Sequence, residues 1–219
     1  MTENNSGERD RLLKRLKWER RLWRAGYFHV AGIDEAGRGP LAGPVIAAAV
    51  IFPKNLKPFD VDDSKKLSPK KREELFDKII EKALAIGIGS CDEKMIDEIN
   101  ILQATYRAMS HAIAAASISS DYILVDGWEI PNLKIPQTAI IKGDQKCFSI
   151  AAASIIAKVT RDRIMTEYDK KFPAYFFAQH KGYPTRQHIE AIEKQGFCEI
   201  HRTSFTIKSL KPNGKFRTE

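Results

Sequence analysis

A chain of 219 residues is long enough for one sizeable core and short for two full ones. Hydrophobic residues at 43% and charged residues at 29% exclude a largely disordered or collagen-like chain. The 36 Lys and Arg against 28 Asp and Glu, a formal net charge of +8, favour polyanionic partners such as nucleic acid without proving one.

The chain opens with a polar stretch, after which Leu12, Leu13, Leu16 and Trp23 fall on one face among basic residues and predict a basic amphipathic helix. That helix reads either as a solvated element packed on the main body or as a nucleic-acid contact, and the two are compatible. The first 24 residues hold eight basic residues and no apolar signal core, so a cytoplasmic location is expected. Val30 to Ile33 and Val45 to Phe52 read as a hairpin-like strand pair around a Gly/Pro-rich turn. Ser68-Pro69 is a cap followed by proline at the first helical position, predicting a helix to about Lys82.

Ala85 to Ser90 is a third strand candidate, and Asp92 to Ile118 carries two helical stretches broken near Asn100. Tyr122 to Val125 and Thr138 to Ile141 are compact apolar runs leading into Asp126-Gly127 and Lys142-Gly143-Asp144. A long helix from about Ser149 to Lys171 and a last one over Thr185 to Gln195 follow. This order argues for one α/β domain with a mixed sheet flanked by helices. The longest apolar runs, Val45 to Phe52 and Ile150 to Ala157, are eight residues each, so no membrane span, which needs about 20, is expected. Cys91, Cys147 and Cys198, an odd number without CxxC spacing, read as reduced thiols rather than a disulfide framework or a zinc cage.

Asp34 and Glu35 are adjacent at the end of an apolar segment, and Asp126 and Asp144 follow others in the same way, so four carboxylates are candidates for one sheet end. Crowded carboxylates raise one another's pKa unless a cation compensates them. Oxygen ligands without His or Cys suit Mg²⁺ or Mn²⁺, and such ions serve phosphodiester hydrolysis. Each acid taken alone also reads as a turn cap, because Asp before Gly is an ordinary turn pair. Residues Ala36 to Pro44 form a Gly-rich loop whose backbone can approach phosphate or hydroxyl oxygens, or simply connect two strands.

These residues resemble the ribonuclease HII family, the type 2 ribonucleases H. The resemblance rests on Gly32-Ile33-Asp34-Glu35-Ala36-Gly37-Arg38-Gly39-Pro40 with Leu41-Ala42-Gly43-Pro44-Val45, then Asp63-Ser64-Lys65-Lys66-Leu67-Ser68, Val125-Asp126-Gly127, Lys142-Gly143-Asp144 and Ser149 to Asp162. It continues through His180-Lys181-Gly182-Tyr183-Pro184-Thr185 and His201-Arg202-Thr203-Ser204-Phe205. The Arg38-containing loop resembles type HII rather than its HIII sister. The motifs span about residues 28–206, leaving 1–27 as a basic helical extension and 207–219 as a basic tail.

The resemblance implies a ribonuclease H-like fold with a helical C-terminal region, and metal-dependent endonucleolytic cleavage of RNA in RNA/DNA hybrids and at single ribonucleotides in duplex DNA. By motif match it makes Asp34, Glu35, Asp126 and Asp144 the catalytic, metal-coordinating set for Mn²⁺ or Mg²⁺. It assigns sensing of the 2′-hydroxyl to the Gly37-Arg38-Gly39 backbone and stacking on the following deoxyribose to Tyr183. Ser64, Lys65 and Lys66 read as phosphate contacts or as solvated surface, Ser149 and Ser154 as helix-start or core-facing hydroxyls, and Asp162 as an ion-pairing residue. Residues 210–219 lack the glutamine and paired aromatics of a clamp-binding peptide, so no clamp contact is expected there, and a monomer is expected. Two rival readings are a nucleic-acid-binding module with structural acids, and another nuclease, such as a junction resolvase, that shares the acids but not the 2′-hydroxyl-sensing loop.

Overall fold

The structure is a computed structural model that describes residues 12–61, Ser64 and residues 67–206. Its elements are, in chain order, α1 (Lys17–Arg24), β1 (Val30–Ala36), β2 (Val45–Ile51), α2 (Pro69–Lys82), β3 (Ala85–Cys91), α3 (Glu93–Ala115), β4 (Tyr122–Asp126) and β5 (Gln137–Ile140). There follow α4 (Gly143–Lys146), α5 (Phe148–Lys171), a 3₁₀ turn (Pro173–Tyr175), α6 (Phe177–His180) and α7 (Arg186–Gln195). The expected Lys65 and Lys66 contacts and the tail from 207 lie outside the described residues.

The five strands form one mixed sheet in the order β3-β2-β1-β4-β5, with β1, β2 and β3 antiparallel and β4 and β5 parallel to β1. Strand β2 is buried throughout because helices cover both faces of the sheet. Its alternate residues Ile46, Ala48 and Val50 pack with α2 and α5, while Val45, Ala47, Ala49 and Ile51 pack with α3. Strand β1 continues past Ile33, where the apolar run stops, because β2 pairs with it as far as Ala36↔Ile46. Asp34 and Glu35 therefore lie within a strand rather than after one.

Local signals set most helix ends. Ser68 accepts the Lys71 N–H at 3.2 Å and Thr185 the His188 N–H at 3.3 Å, as their capping positions predict. Asn100 interrupts α3 with φ 68° and re-caps its second half, its side-chain oxygen accepting the N–H groups of Leu102 and Gln103 at 3.0 and 3.1 Å. The N-terminal helical segment buries Leu12 and Leu16 against the main body, while Lys14 and Lys17 stay exposed. All three cysteines are free thiols. Among the described residues no helix is long and apolar enough to cross a membrane.

A third apolar cluster joins the C-terminal helices to the turn after β1, packing Leu41 and Ala42 with Met165, Tyr175, Phe177, Ile192 and Ile200. Ala42 pairs with His201 in an isolated antiparallel bridge. The Asp97 carboxylate accepts the N–H and hydroxyl of both Thr203 and Ser204 at 2.5–3.0 Å, which ties the last described segment to α3. The Gly-rich loop is therefore held from the C-terminal side as well as by its own strands.

Candidate active site

Parallel pairing of β1 with β4 brings Ile33 opposite Val125, so Asp34 and Asp126, one residue further along each strand, stand side by side at the same sheet end. Beyond β5, whose Ile140 is in register with Asp126, the chain turns at Lys142 in the left-handed region, φ 55°, and starts α4. The Gly143 N–H donates to Asp126 Oδ1 at 2.6 Å, and the next residue is the buried Asp144. All four expected acids thus gather around one end of the sheet. Among the described residues no three His, Cys, Asp or Glu side chains converge into a ready-made metal cage.

Asp34 is 6% exposed and accepts the Glu35 N–H at 2.7 Å. Burial, followed by the nearby Glu35 and Asp126 carboxylates, holds its pKa well above the usual carboxylate range, while a hydrogen bond from Ser154 opposes the rise. Glu35 meets the Arg38 guanidinium at 3.5 Å. An all-oxygen donor set in which like charges oppose one another's ionisation fits a hard divalent cation, which would relieve that conflict.

Glu35, Gly37, Arg38, Gly39, Ser64 and Tyr183 line one cavity of about 190 Å³. Tyr183 is 42% exposed there rather than packed in the core, and a Cβ on Gly39 would sit 3.8 Å from its ring. Ser64 lies beneath, its hydroxyl 2.8 Å from that of Ser154. Gly37 has φ +101°, and a Cβ there would come within 2.2 Å of Arg161 Nε, so both conformation and space require glycine.

Two buried arginines, whose roles the sequence reading did not foresee, hold this loop by its carbonyls. Arg202 donates to the carbonyls of Gly37 at 2.6 Å, Pro40 at 2.8 Å and Gly43 at 2.7 Å. Arg161 donates to those of Pro44 at 2.9 Å, Ala42 at 3.0 Å and, from the other side, Lys181 at 3.0 Å. Burial lowers their pKa values to about 9 and about 10, so both stay charged at neutral pH. No local signal marked Arg161, which stands between Thr160 and Asp162 with Lys158 and Arg163 close by in the sequence. Asp162, read as an ion-pairing residue, pairs with Lys158 at 2.6 Å, whereas Arg163 pairs with Glu73. Ser149 is a helix-start hydroxyl, as one reading had it, hydrogen-bonded to Glu19.

The chain matches the family model described as Ribonuclease HII over residues 31–208. It is 57% identical over 198 residues to the Ribonuclease HII of Ruminiclostridium cellulolyticum, covering 90% of this chain and 78% of that one. Among solved structures, the ribonuclease H2 from Pyrococcus horikoshii OT3 superposes with a TM-score of 0.68 at 31% identity, covering 80% of this chain and 93% of that one. A chain of the PCNA:RNase HII complex from Archaeoglobus fulgidus gives a TM-score of 0.68 at 25% identity, covering 84% of this chain and 98% of that one.

Proposed function

The chain belongs to the ribonuclease HII family and is a ribonuclease H endonuclease, and on that premise we propose that it cuts the RNA strand of RNA/DNA hybrids and the 5′ side of single ribonucleotides in duplex DNA. The products carry 5′-phosphate and 3′-hydroxyl ends. The observation that carries this reading is the shared cavity of Glu35, the Gly37-Arg38-Gly39 loop and Tyr183, beside the Asp34 and Asp126 strand ends.

Asp34, Glu35, Asp126 and Asp144 would hold Mg²⁺ or Mn²⁺ ions. When bound, two such ions supply activation of the attacking water and stabilisation of the leaving 3′ oxygen. The chain's own contribution is placement. The backbone of Gly37 to Gly39, held by Arg202 at the Gly37 carbonyl while Arg161 holds the far end of the loop at Pro44, presents polar groups to the ribose 2′-hydroxyl, the group that distinguishes RNA from DNA. Tyr183 offers a ring face to the sugar of the following deoxynucleotide. Ser64 and Lys65 serve the phosphate backbone, positioning the strand without reading its sequence. We place this work in the cytoplasm, where three free thiols are at home, with the protein acting as a monomer.

The test is cleavage of a labelled DNA duplex containing one ribonucleotide, with Mg²⁺, Mn²⁺ or EDTA, comparing wild type, Asp126→Asn and an all-DNA duplex. The expected result is a metal-dependent cut 5′ of the ribonucleotide that the variant loses. No cut, or an equal cut in the all-DNA duplex, overturns the reading.

A further inference from the structure

Helix α5 begins without a cap of its own. Its N-cap residue, Cys147, has the extended backbone of a capping position (φ −127°, ψ 132°), but its side chain makes no capping bond and the first turn holds no acid. A thiol is a weak acceptor, so the amides of the first turn need another partner. That partner comes from α1, about 130 residues upstream. Glu19 Oε1 accepts the Ser149 N–H at 2.8 Å, the Ser149 hydroxyl at 2.8 Å and the Cys147 thiol at 3.1 Å.

Glu19 is 1% exposed, and its second carboxylate oxygen is buried with no hydrogen-bond partner among the described residues. Burying a carboxylate with half of its acceptor capacity unmet costs stability, so stability alone is a poor reason for this residue.

The capped turn lies between the candidate catalytic groups. Asp144 is three residues before Cys147, and α4 runs directly into the turn through the Cys147 N–H bond to the Gly143 carbonyl at 2.8 Å. Downstream on α5, the Ser154 hydroxyl lies near enough to the Asp34 carboxyl to favour its ionised form. The turn is also pressed against β1, where a Cβ on Gly32 would lie 2.2 Å from the Ser149 carbonyl carbon and 2.4 Å from the Ile150 nitrogen. Gly32 faces α5 two residues before Asp34 on the same side of the strand, so a shift of this turn moves Asp144 and Ser154 relative to Asp34.

We propose that Glu19 is a positioning residue for the cleavage reaction, its carboxylate capping α5 from the N-terminal helix and so setting Asp144 and Ser154 against Asp34. The proposal rests on the reading of these acids as catalytic. It makes the N-terminal helix part of the site's framework, and it depends on the acceptor oxygen and its reach rather than on negative charge.

The experiment measures kcat and KM on an RNA/DNA hybrid for wild type, Glu19→Ala, Glu19→Gln, Glu19→Asp and the double variant Glu19→Ala/Cys147→Ser, well below each variant's unfolding midpoint. Gln keeps the length and the acceptor, Asp keeps the charge but loses reach, and a serine at 147 supplies a local cap. Glu19→Ala and Glu19→Asp are expected to lower kcat ~10- to 100-fold, the scale of a small misplacement of catalytic groups. KM should stay within about twofold, as for a group absent from substrate binding. Glu19→Gln should stay close to wild type, and Cys147→Ser should restore much of the activity lost in Glu19→Ala. If Glu19→Ala does not fold, the Gln and Asp pair decides. Full activity in folded Glu19→Asp, loss in Glu19→Gln, or no recovery in the folded double variant overturns the proposal. Absence of hybrid cleavage by the wild type would instead overturn the functional reading.

Discussion

Arg202 Nη2 donates to the Gly37 carbonyl at 2.6 Å, joining residues 165 positions apart. The same guanidinium reaches the Arg38, Pro40 and Gly43 carbonyls, so the last described segment of the chain shapes the loop that follows Asp34 and Glu35. Replacing Arg202 with Met leaves those carbonyls without a charged donor, at a cost of about 2–3 kcal/mol by the scale of hydrogen bonds to charged groups. A lower urea midpoint should accompany weakened cleavage at single ribonucleotides. An unchanged midpoint would show that the loop holds its shape without the arginine.

Gly37→Ala places a Cβ in the positive-φ region, within 2.2 Å of Arg161 Nε. Backbone strain of this kind costs about 1–3 kcal/mol, and displacing Arg161 adds to it. The expected outcome is a lower melting temperature together with loss of ribonucleotide-directed cleavage. Wild-type cleavage by a folded Gly37→Ala protein would remove the loop backbone from substrate recognition.

Asp34 carries a like-charge conflict that a bound divalent cation would relieve. Its folded pKa lies well above the ordinary carboxylate value, so its ionisation penalises the native state increasingly as pH rises through that raised pKa. In EDTA at neutral pH, Asp34→Asn should therefore melt higher than wild type, by about 2–4 °C for each 1 kcal/mol relieved in a chain of this size. Activity should be abolished, and Mn²⁺ should raise the wild-type melting temperature more than the variant's. A variant that melts lower in EDTA would argue against the like-charge conflict.

His188 and His201 are buried and hydrogen-bonded in the neutral form. The Cys198 N–H donates to His201 Nδ1 at 2.9 Å, so neutral His201 carries its proton on Nε2 and donates it to His188 Nε2 at 3.1 Å. His188 Nδ1–H in turn donates to the Tyr183 carbonyl at 2.9 Å. Protonating either ring sets N–H against N–H, and burial lowers both pKa values from 6.5 to about 4. The unfolded chain therefore binds more protons than the native state between these values. The contribution of the pair is complete above pH 6.5 and declines as pH falls toward 4. Denaturant titrations at a series of pH values should show this loss, with a shallower slope in His201→Gln. An identical slope in that variant would rule out the pair as its source.

Much of the local structure was legible in the residues themselves. Short apolar runs marked the strands, while Ser68-Pro69 and Thr185 marked helix starts and Asn100 the break in α3, because each of these polar side chains acts on amides within a few positions of itself. The order of the Asp34-Glu35, Asp126 and Asp144 motifs also carried the family resemblance. The sequence left unresolved that β1 continues through Asp34 and Glu35, since that depends on pairing with β2 and not on local hydrophobicity. Only the tertiary structure placed Asp34 beside Asp126, Arg202 on the Gly37 loop and Glu19 at the start of α5. These are contacts between segments roughly 90 to 165 residues apart, and a buried ion or a parallel strand neighbour leaves no periodic trace in the chain, because its partner is chosen by how the elements pack.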